Sequence, residues 1–304
     1  MLHEIFYWIF NMSITASVTG LVILLLRLIK KIPRRVFVIV WAIPFLRLIV
    51  PVGINSPFSL MTLLTKLSTK SVVVLQPTEH TVISAANTVQ AAGSYFPITY
   101  KTNVLAQVFG VASTVWVIVF LAIVIMLAVI YITTMREMKD AEPWQERVYF
   151  SDKCTMPAVY GILKPKIILP VSYKGKDTEL VLLHEKTHIH RCDNLWRMLA
   201  FLTVAMHWFN PLCWVYLKAF LADLELACDE CVLAKLGTER KKDYALALLE
   251  GGEGKTVFAS TLGGARVRTR IENILSFKKI TWVSVVAFTG LLIAMFCMLL
   301  TNAG

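Results

Sequence analysis

Charged side chains are scarce in this sequence. Asp, Glu, Lys and Arg make up 17% of its 304 residues, whereas hydrophobic residues make up 57% and the mean hydropathy is +0.64. Soluble globular domains usually carry about 25% charged residues. The composition therefore excludes an ordinary soluble domain of this size and predicts a protein that resides in a membrane.

A secretory disulfide pattern is also missing. The six cysteines show no regular spacing, and only Cys228 and Cys231 form a C-x-x-C pair. On a predicted helix, and without a second pair, this motif favours free thiols over half of a zinc site or a redox pair. The first apolar stretch has no basic leader and no clear cleavage site, so we expect a retained helix rather than a signal peptide.

Four apolar stretches are long enough to cross a hydrocarbon core, which needs about 20 helical residues. Basic residues fill the loop after the first stretch and precede the last, which makes these flanks cytoplasmic and places both termini outside. The sequence thus predicts a mainly α integral membrane protein with four transmembrane helices and a cytoplasmic α+β domain. Its predicted segments are 1–35 (first transmembrane helix and basic cytoplasmic loop), 36–54 (second helix), 55–103 (extracellular loop), 104–135 (third helix), 136–279 (cytoplasmic domain) and 280–304 (fourth helix and short outer tail).

The cytoplasmic region is predicted to begin with a charged linker, residues 136–152. β-Branched and apolar runs at 158–160 and 166–169 then flank a turn that contains Gly161 and Pro165, a pattern that predicts a short hairpin. Further on, residues 198–217 carry no formal charge and would pass for a fifth span. Asn210-Pro211 interrupts this run, and proline breaks helices, so two shorter helices that pack or dip into the membrane fit as well as one span.

The stretch LVLLHEKTHIHRCD places His184, Glu185 and His188 in the order H-E-x-x-H. On a helix, residues four apart share a face, so the two histidines can bind one zinc ion while Glu185 serves as general base towards the attacking water. The pattern is short, however, and a pair of surface or packed histidines would produce it equally well.

A third zinc ligand is expected in FLADLELACDECVLAKLG. Glu225 can bind the metal, while Asp229, one helical turn later, can accept a hydrogen bond from a ligand histidine and fix its tautomer. A solvated acidic face is the competing interpretation, which the surrounding apolar residues disfavour. Asp193, Asp223 and Glu230 stay open as alternative ligands.

The shared metal constrains the apolar run between its ligands. If residues 198–217 crossed the membrane, His184 and Glu225 would lie on opposite sides and could not bind one ion. We therefore expect this run to fold back as a membrane-associated hairpin, with the zinc site at the inner membrane face.

Other polar residues carry weaker expectations. His190 is expected to be structural or exposed to solvent, and His207 to be a hydrogen-bonded packing residue. Arg47, inside an apolar stretch, should face a partner or reach the outer surface. The strand at 166–169 is predicted to hold a peptide substrate by strand addition. Candidates for the oxyanion stabiliser are Tyr160, Tyr173 and Arg191.

Several motifs occur in an order that resembles the BlaR1/MecR1 family of membrane zinc peptidases, peptidase family M56: PAVYGILKPKIILP, HEKTHIHRCD, WFNPLCW, ELACDECVL and RIENIL before a last helix. The resemblance implies a gluzincin-type domain in which His184, His188 and Glu225 bind zinc and Glu185 is the general base, with Asp229 supporting a ligand. It also implies that an outside signal activates the protease, which cleaves a cytoplasmic winged-helix repressor of the BlaI/MecI type and itself, the latter within 258–279. The C-terminal penicillin-binding sensor domain of this family is expected to be lacking, because four residues follow the last apolar stretch.

The leading hypothesis is thus an integral membrane zinc endopeptidase of the signal-transducing type. Its expected partners are the repressor, the lipid bilayer and a second copy in a homodimer, and no direct contact with nucleic acid is expected because much of the net charge of +11 lies beside apolar segments. An alternative is a quality-control metalloprotease of the HtpX/Ste24 kind. A second alternative is a membrane receptor or scaffold without enzymatic activity.

Overall fold

The computed structural model of the chain describes residues 2–29, 32–50, 55–57, 59–60, 62, 103–251, 267–277 and 281–303. The predicted extracellular loop falls almost entirely outside these residues, as does the part of the expected self-cleavage stretch at 258–266. The described part is mainly helical. Its helices are α1 (Leu2–Leu26), α2 (Arg34–Val40), α3 (Ala42–Ile49), α4 (Asn103–Glu137), α5 (Glu179–His190), α6 (Asp193–Met206), α7 (Pro211–Leu236), α8 (Lys241–Gly251), α9 (Val267–Ser276) and α10 (Trp282–Leu299).

Among the described helices, α1 and α4 are long and apolar enough to cross a membrane. The most apolar 18-residue stretch of α1 is 50% buried against other parts of the chain, whereas the corresponding stretch of α4 is only 6% buried. The exposed apolar surface of α4 is what a helix in contact with lipid requires. The apolar part of α10, Ser284–Leu299, is shorter, so the count of four transmembrane helices stays a prediction.

The second predicted span is divided into two helices. α2 ends at Val40 and α3 begins at Ala42, with Trp41 between them. Pro44 lies one turn after Val40 and has no N–H group to donate to the carbonyl of Val40, which accounts for the interruption. Residues 34–49 extend about 24 Å at the rise of an α-helix, less than the roughly 30 Å of a hydrocarbon core.

The apolar run at 198–217 forms two helices, α6 and α7, with a break where the sequence predicts one. Pro211 is the first residue of α7, and the side chain of Asn210 caps the helix by accepting a hydrogen bond from the N–H of Leu212 at 2.9 Å. The amide nitrogen of Asn210 donates to the hydroxyls of Ser13 and Ser17 at 2.7 and 2.8 Å. The turn between α6 and α7 therefore lies beside the middle of α1.

The other end of this hairpin is fixed by the basic loop after α1. Asp223, which is fully buried, accepts hydrogen bonds from Nε of Arg27 at 2.9 and 3.0 Å and from the indole of Trp41 at 2.9 Å. Glu230 accepts from the backbone N–H of Arg34 at 2.9 Å. Both carboxylates thus pair with the loop and the start of α2, and the structure removes them from the alternative metal ligands.

A four-stranded sheet precedes the helix that carries the H-E-x-x-H sequence. The strands β2 (Glu142–Gln145), β3 (Val148–Ser151), β4 (Ala158–Tyr160) and β5 (Lys166–Pro170) stand in the order β2-β3-β5-β4. β4 and β5 are antiparallel neighbours, which confirms the predicted hairpin, and β3 pairs with β5 in parallel. A second sheet is a parallel pair of two-residue strands, β1 (Asn55–Ser56) and β6 (Asn302–Ala303).

Two expectations about this sheet are wrong. The charged linker contains β2 and β3, which are joined by a tight turn at Glu146 and Arg147, the latter with φ of 61°. Neither residue is typical of a hairpin turn, because turn residues with a left-handed backbone conformation are usually Gly, Asn or Asp. The strand at 166–169 pairs on both sides, with β3 and with β4, so its backbone offers no free edge for strand addition.

Two buried polar side chains of the apolar part, Arg47 and His207, have backbone carbonyl partners. Arg47 is buried and donates to the backbone carbonyls of Leu299 and Thr301, at the C-terminal end of α10, where a helix dipole favours a cation. His207 is fully buried, and its Nε2 lies 2.9 Å from the carbonyl oxygen of Leu48. His190 is exposed. These positions confirm the expectations for the three side chains.

Candidate metal centre

The H-E-x-x-H sequence lies on α5, and its three functional side chains are buried. His184 and His188 are 8% and 7% exposed, and Glu185 is 7% exposed. The Nε2 atoms of the two histidines face each other at 3.1 Å. Such an arrangement brings two nitrogen lone pairs together and is favourable only when a cation or a shared proton lies beside them.

Glu225, from α7, completes a triangle of ligand atoms. Its Oε2 lies 3.9 Å from Nε2 of His184 and 3.7 Å from Nε2 of His188. A point equidistant from the three atoms lies about 2.1 Å from each, which is the usual length of zinc–nitrogen and zinc–oxygen bonds. Oε1 of Glu225 accepts from the guanidinium of Arg197 on α6, so Oε2 is the oxygen that faces the histidines. The donor set therefore fits a zinc ion.

The Nδ1 atoms of the histidines are held by different groups. Nδ1 of His188 lies 2.6 Å from Oδ2 of Asp193, a residue for which the sequence suggested only an alternative ligand role. Nδ1 of His184 lies 2.8 Å from the hydroxyl of Tyr244 and 3.5 Å from Oδ1 of Asp229. Asp229 therefore contacts the histidine mainly through Tyr244, whereas the sequence predicted a direct hydrogen bond.

Cys228 forms a competing group of possible ligands with the two histidines, because their ligand atoms lie within 4.8 Å of one another. Its Sγ lies 3.6 Å from Nδ1 of His184, the nitrogen that already contacts Tyr244, and 3.7 Å from the carbonyl oxygen of His184. Sγ approaches Nδ1 rather than the two Nε2 atoms that face each other, so Cys228 does not complete the triangle of ligand atoms. We therefore favour Glu225. All six cysteines are free, as expected.

Burial and charge set the protonation of the site. Burial raises the pKa of Glu185 and lowers that of His184 well below its ordinary value. Burial alone would lower the pKa of His188, but interactions with Cys228, Glu225 and Asp193 outweigh it and hold this pKa well above its ordinary value. A carboxylate with a raised pKa is a stronger base, which suits Glu185 for proton transfer.

Three residues at this site were not found by sequence reasoning. Tyr244 lies on α8, Arg197 on α6 and Arg270 on α9, far apart along the chain. Arg270 contacts both oxygens of Asp229, with Nε 2.9 Å from Oδ2 and Nη2 2.8 Å from Oδ1. The only signal for any of them is the RIENIL motif, which begins at Arg270.

The candidate oxyanion stabilisers occupy different places. Arg191 contacts Asp193, with Nε 3.4 Å from Oδ1, and so supports the partner of His188. Tyr173 packs against the apolar core under the sheet. The hydroxyl of Tyr160 lies 3.7 Å from Sγ of Cys154. Burial raises the pKa of Tyr160, so this tyrosine keeps its proton.

A buried H-E-x-x-H helix with a glutamate from a later helix defines a metallopeptidase type of site. A family model described as BlaR1 peptidase M56 matches residues 7–274. The chain therefore belongs to this family of metallopeptidases, which confirms the resemblance seen in the sequence.

Curated relatives agree with this assignment. Proteins described as methicillin resistance mecR1 protein, from Staphylococcus aureus and Staphylococcus epidermidis, are 27% identical to the chain over 107 residues. The match covers 34% of this chain and 18% of the length of each relative. Together with the apolar helices α1 and α4, these relatives indicate a membrane protein.

Proposed function

We propose that the chain is an integral membrane zinc endopeptidase. The observation that carries this proposal is the convergence of Nε2 of His184, Nε2 of His188 and Oε2 of Glu225 within 3.9 Å of one another, beside the buried Glu185. When bound, zinc acts as a Lewis acid that polarises a peptide carbonyl and acidifies water. Asp193 and Arg197 hold two of the three ligand side chains in place.

Glu185 is the general base in this proposal. It follows His184 directly on α5, and its burial raises the carboxyl pKa. The carboxylate takes a proton from the attacking water and returns it to the amine that leaves as the peptide bond breaks. Peptide bonds are the substrate bonds, in keeping with the peptidase family.

We further propose that the protein works in a signalling pathway at the inner membrane face. Four spanning helices would place residues 136–279 in the cytoplasm and would leave the α6–α7 hairpin embedded beside α1. The substrate is a cytoplasmic winged-helix repressor of the BlaI/MecI type, and the pathway is supported by the relatives described as methicillin resistance proteins. The match to a BlaR1-type family favours this role over general quality control.

The replacement Glu185→Gln tests the chemistry in detergent-solubilised protein. We expect full zinc content and a loss of peptide cleavage of about 10²- to 10⁴-fold, because the general base is gone while the ligands remain. Glu179→Gln is the matched control, since Glu179 lies on the same helix and its side chain is 60% exposed. Undiminished cleavage by the Glu185 variant would disprove the catalytic assignment.

Two substrates separate the chemistry from the pathway. A mixture of unstructured peptides reports peptidase activity of any specificity, and a purified MecI-type repressor reports the proposed substrate. Cleavage of both by the unaltered protein supports the full proposal. Cleavage of the peptides alone supports the peptidase and refutes the repressor as substrate.

A further inference from the structure

We propose that Arg270 is a positioning residue of the metal site, acting on His184 through Asp229 and Tyr244. The inference rests on the zinc site proposed above. Arg270 lies on α9, and its side chain is 14% exposed. The guanidinium holds both oxygens of Asp229, at 2.9 and 2.8 Å, in the paired geometry that only arginine provides.

The hydrogen bonds that connect Asp229, Tyr244 and His184 have defined donors and acceptors. The hydroxyl of Tyr244 donates to Oδ1 of Asp229 at 2.7 Å. A hydroxyl has one proton, so the oxygen of Tyr244 must accept the contact with Nδ1 of His184 at 2.8 Å. This places the proton of the neutral imidazole on Nδ1 and leaves the lone pair on Nε2, the atom that faces His188 and Glu225. The chain of contacts thus selects the tautomer of His184 that can bind zinc.

Arg270 also contacts the ligand atoms themselves. Its Nη2 lies 3.2 Å from Nε2 of His184, and its Nη1 lies 3.7 Å from Oε2 of Glu225. A cation so close to the ligand atoms could either hold them in position or compete with zinc for the lone pair of His184. The two oxygens of Asp229 lie closer to the guanidinium than either ligand atom does, so we assign the positioning role.

The contacts of Arg270 connect four helices. Arg270 lies on α9, Asp229 on α7, Tyr244 on α8 and His184 on α5. One guanidinium therefore helps to set the orientation of a zinc ligand that lies on a different helix.

The test is a zinc affinity measurement by competition with a chelator, because it reads metal binding rather than activity. Arg270→Met and Tyr244→Phe should each weaken zinc binding roughly 10- to 100-fold, as loss of a hydrogen-bond partner of a metal ligand does. The losses should not add in the double variant, because both changes interrupt one chain of contacts. Its zinc affinity should equal that of the single variant that binds zinc less tightly. Arg270→Lys should restore only part of the affinity, since lysine keeps the charge but not the paired contact.

Arg268→Met is the control, because Arg268 lies on the same helix with its side chain 89% exposed. Tighter zinc binding by the Arg270→Met variant would show competition and would overturn the positioning role, as would unchanged affinity. Additive losses in the double variant would refute the shared chain of contacts. If the unaltered protein binds no zinc, the proposed function fails as well, which distinguishes that failure from one confined to Arg270.

Discussion

Replacing Glu225 or Cys228 with alanine distinguishes the two overlapping groups of possible metal ligands. Both side chains lie on α7 near the histidine pair, but Oε2 of Glu225 approaches the Nε2 atoms, whereas Sγ of Cys228 approaches Nδ1 of His184. A metal bound between the two Nε2 atoms therefore has Glu225 as its third ligand. Only the glutamate variant should lose the metal.

The size of the loss follows from the number of ligands. Zinc sites with four protein ligands bind with about 10–16 kcal/mol, or roughly 2.5–4 kcal/mol per ligand. Loss of Glu225 should therefore weaken zinc binding about 60- to 700-fold, since 1.4 kcal/mol corresponds to a factor of ten. Loss of the Cys228 thiol removes one buried atom, which costs about 1 kcal/mol of folding stability and should change zinc affinity less than about threefold.

The assay is metal content after dialysis against a chelator of known affinity, with protein folding checked by circular dichroism. Retention of zinc by the Glu225→Ala variant and loss by the Cys228→Ala variant would refute the ligand assignment. Loss in both would place both side chains at the ion. The Glu225→Gln variant keeps the size of the side chain, so it separates loss of the negative charge from loss of packing.

Two further predictions concern protons and stability. Zinc affinity should fall as the pH is lowered, and the fall should begin above the ordinary histidine range, because the pKa of His188 is raised and its proton competes with the metal; titrations at several pH values check this, and a pH-independent affinity would contradict it. Asp223→Ala should destabilise the protein by about 3 kcal/mol and lower the melting temperature in detergent, because Arg27 and Trp41 lose their buried partner. Glu142→Ala, in an exposed ion pair, should change the melting temperature little, and an equal effect of both changes would count against a special role for Asp223.

Local sequence signals predicted the features that depend on neighbouring residues. The hairpin of β4 and β5 has a turn marked by Gly161 and Pro165, and the break before α7 has the Asn210-Pro211 pair. The sequence missed the turn between β2 and β3 because Glu146 and Arg147 carry no turn signal and their strands are short. The sequence also missed the break between α2 and α3 at Trp41, because a hydropathy profile does not distinguish Pro44 from the apolar residues around it.

The residues of the metal site likewise include some that local spacing predicts and others that it does not. His184, Glu185 and His188 share one helix, so their spacing alone indicates that they can meet. Tyr244 and Arg270 reach the site from two other helices, and only the packing of α8 against α5 and of α9 against α7 and α8 brings them there. No periodicity in the sequence relates residues that are so far apart, and a motif such as RIENIL marks Arg270 without giving it a role.

The acidic residues of α7 show what helical periodicity can and cannot decide. At about 100° per residue, Asp223 and Glu230 share one face of α7, and Glu225 and Asp229 share a second face about 130° away. The sequence can therefore sort the four acids into two pairs, but it does not say which pair meets the histidines. Packing decides this, because Asp223 and Glu230 bind the basic loop after α1. Since both pairs belong to one helix, Glu225 cannot shift far without straining the ion pairs that fix α7 to that loop.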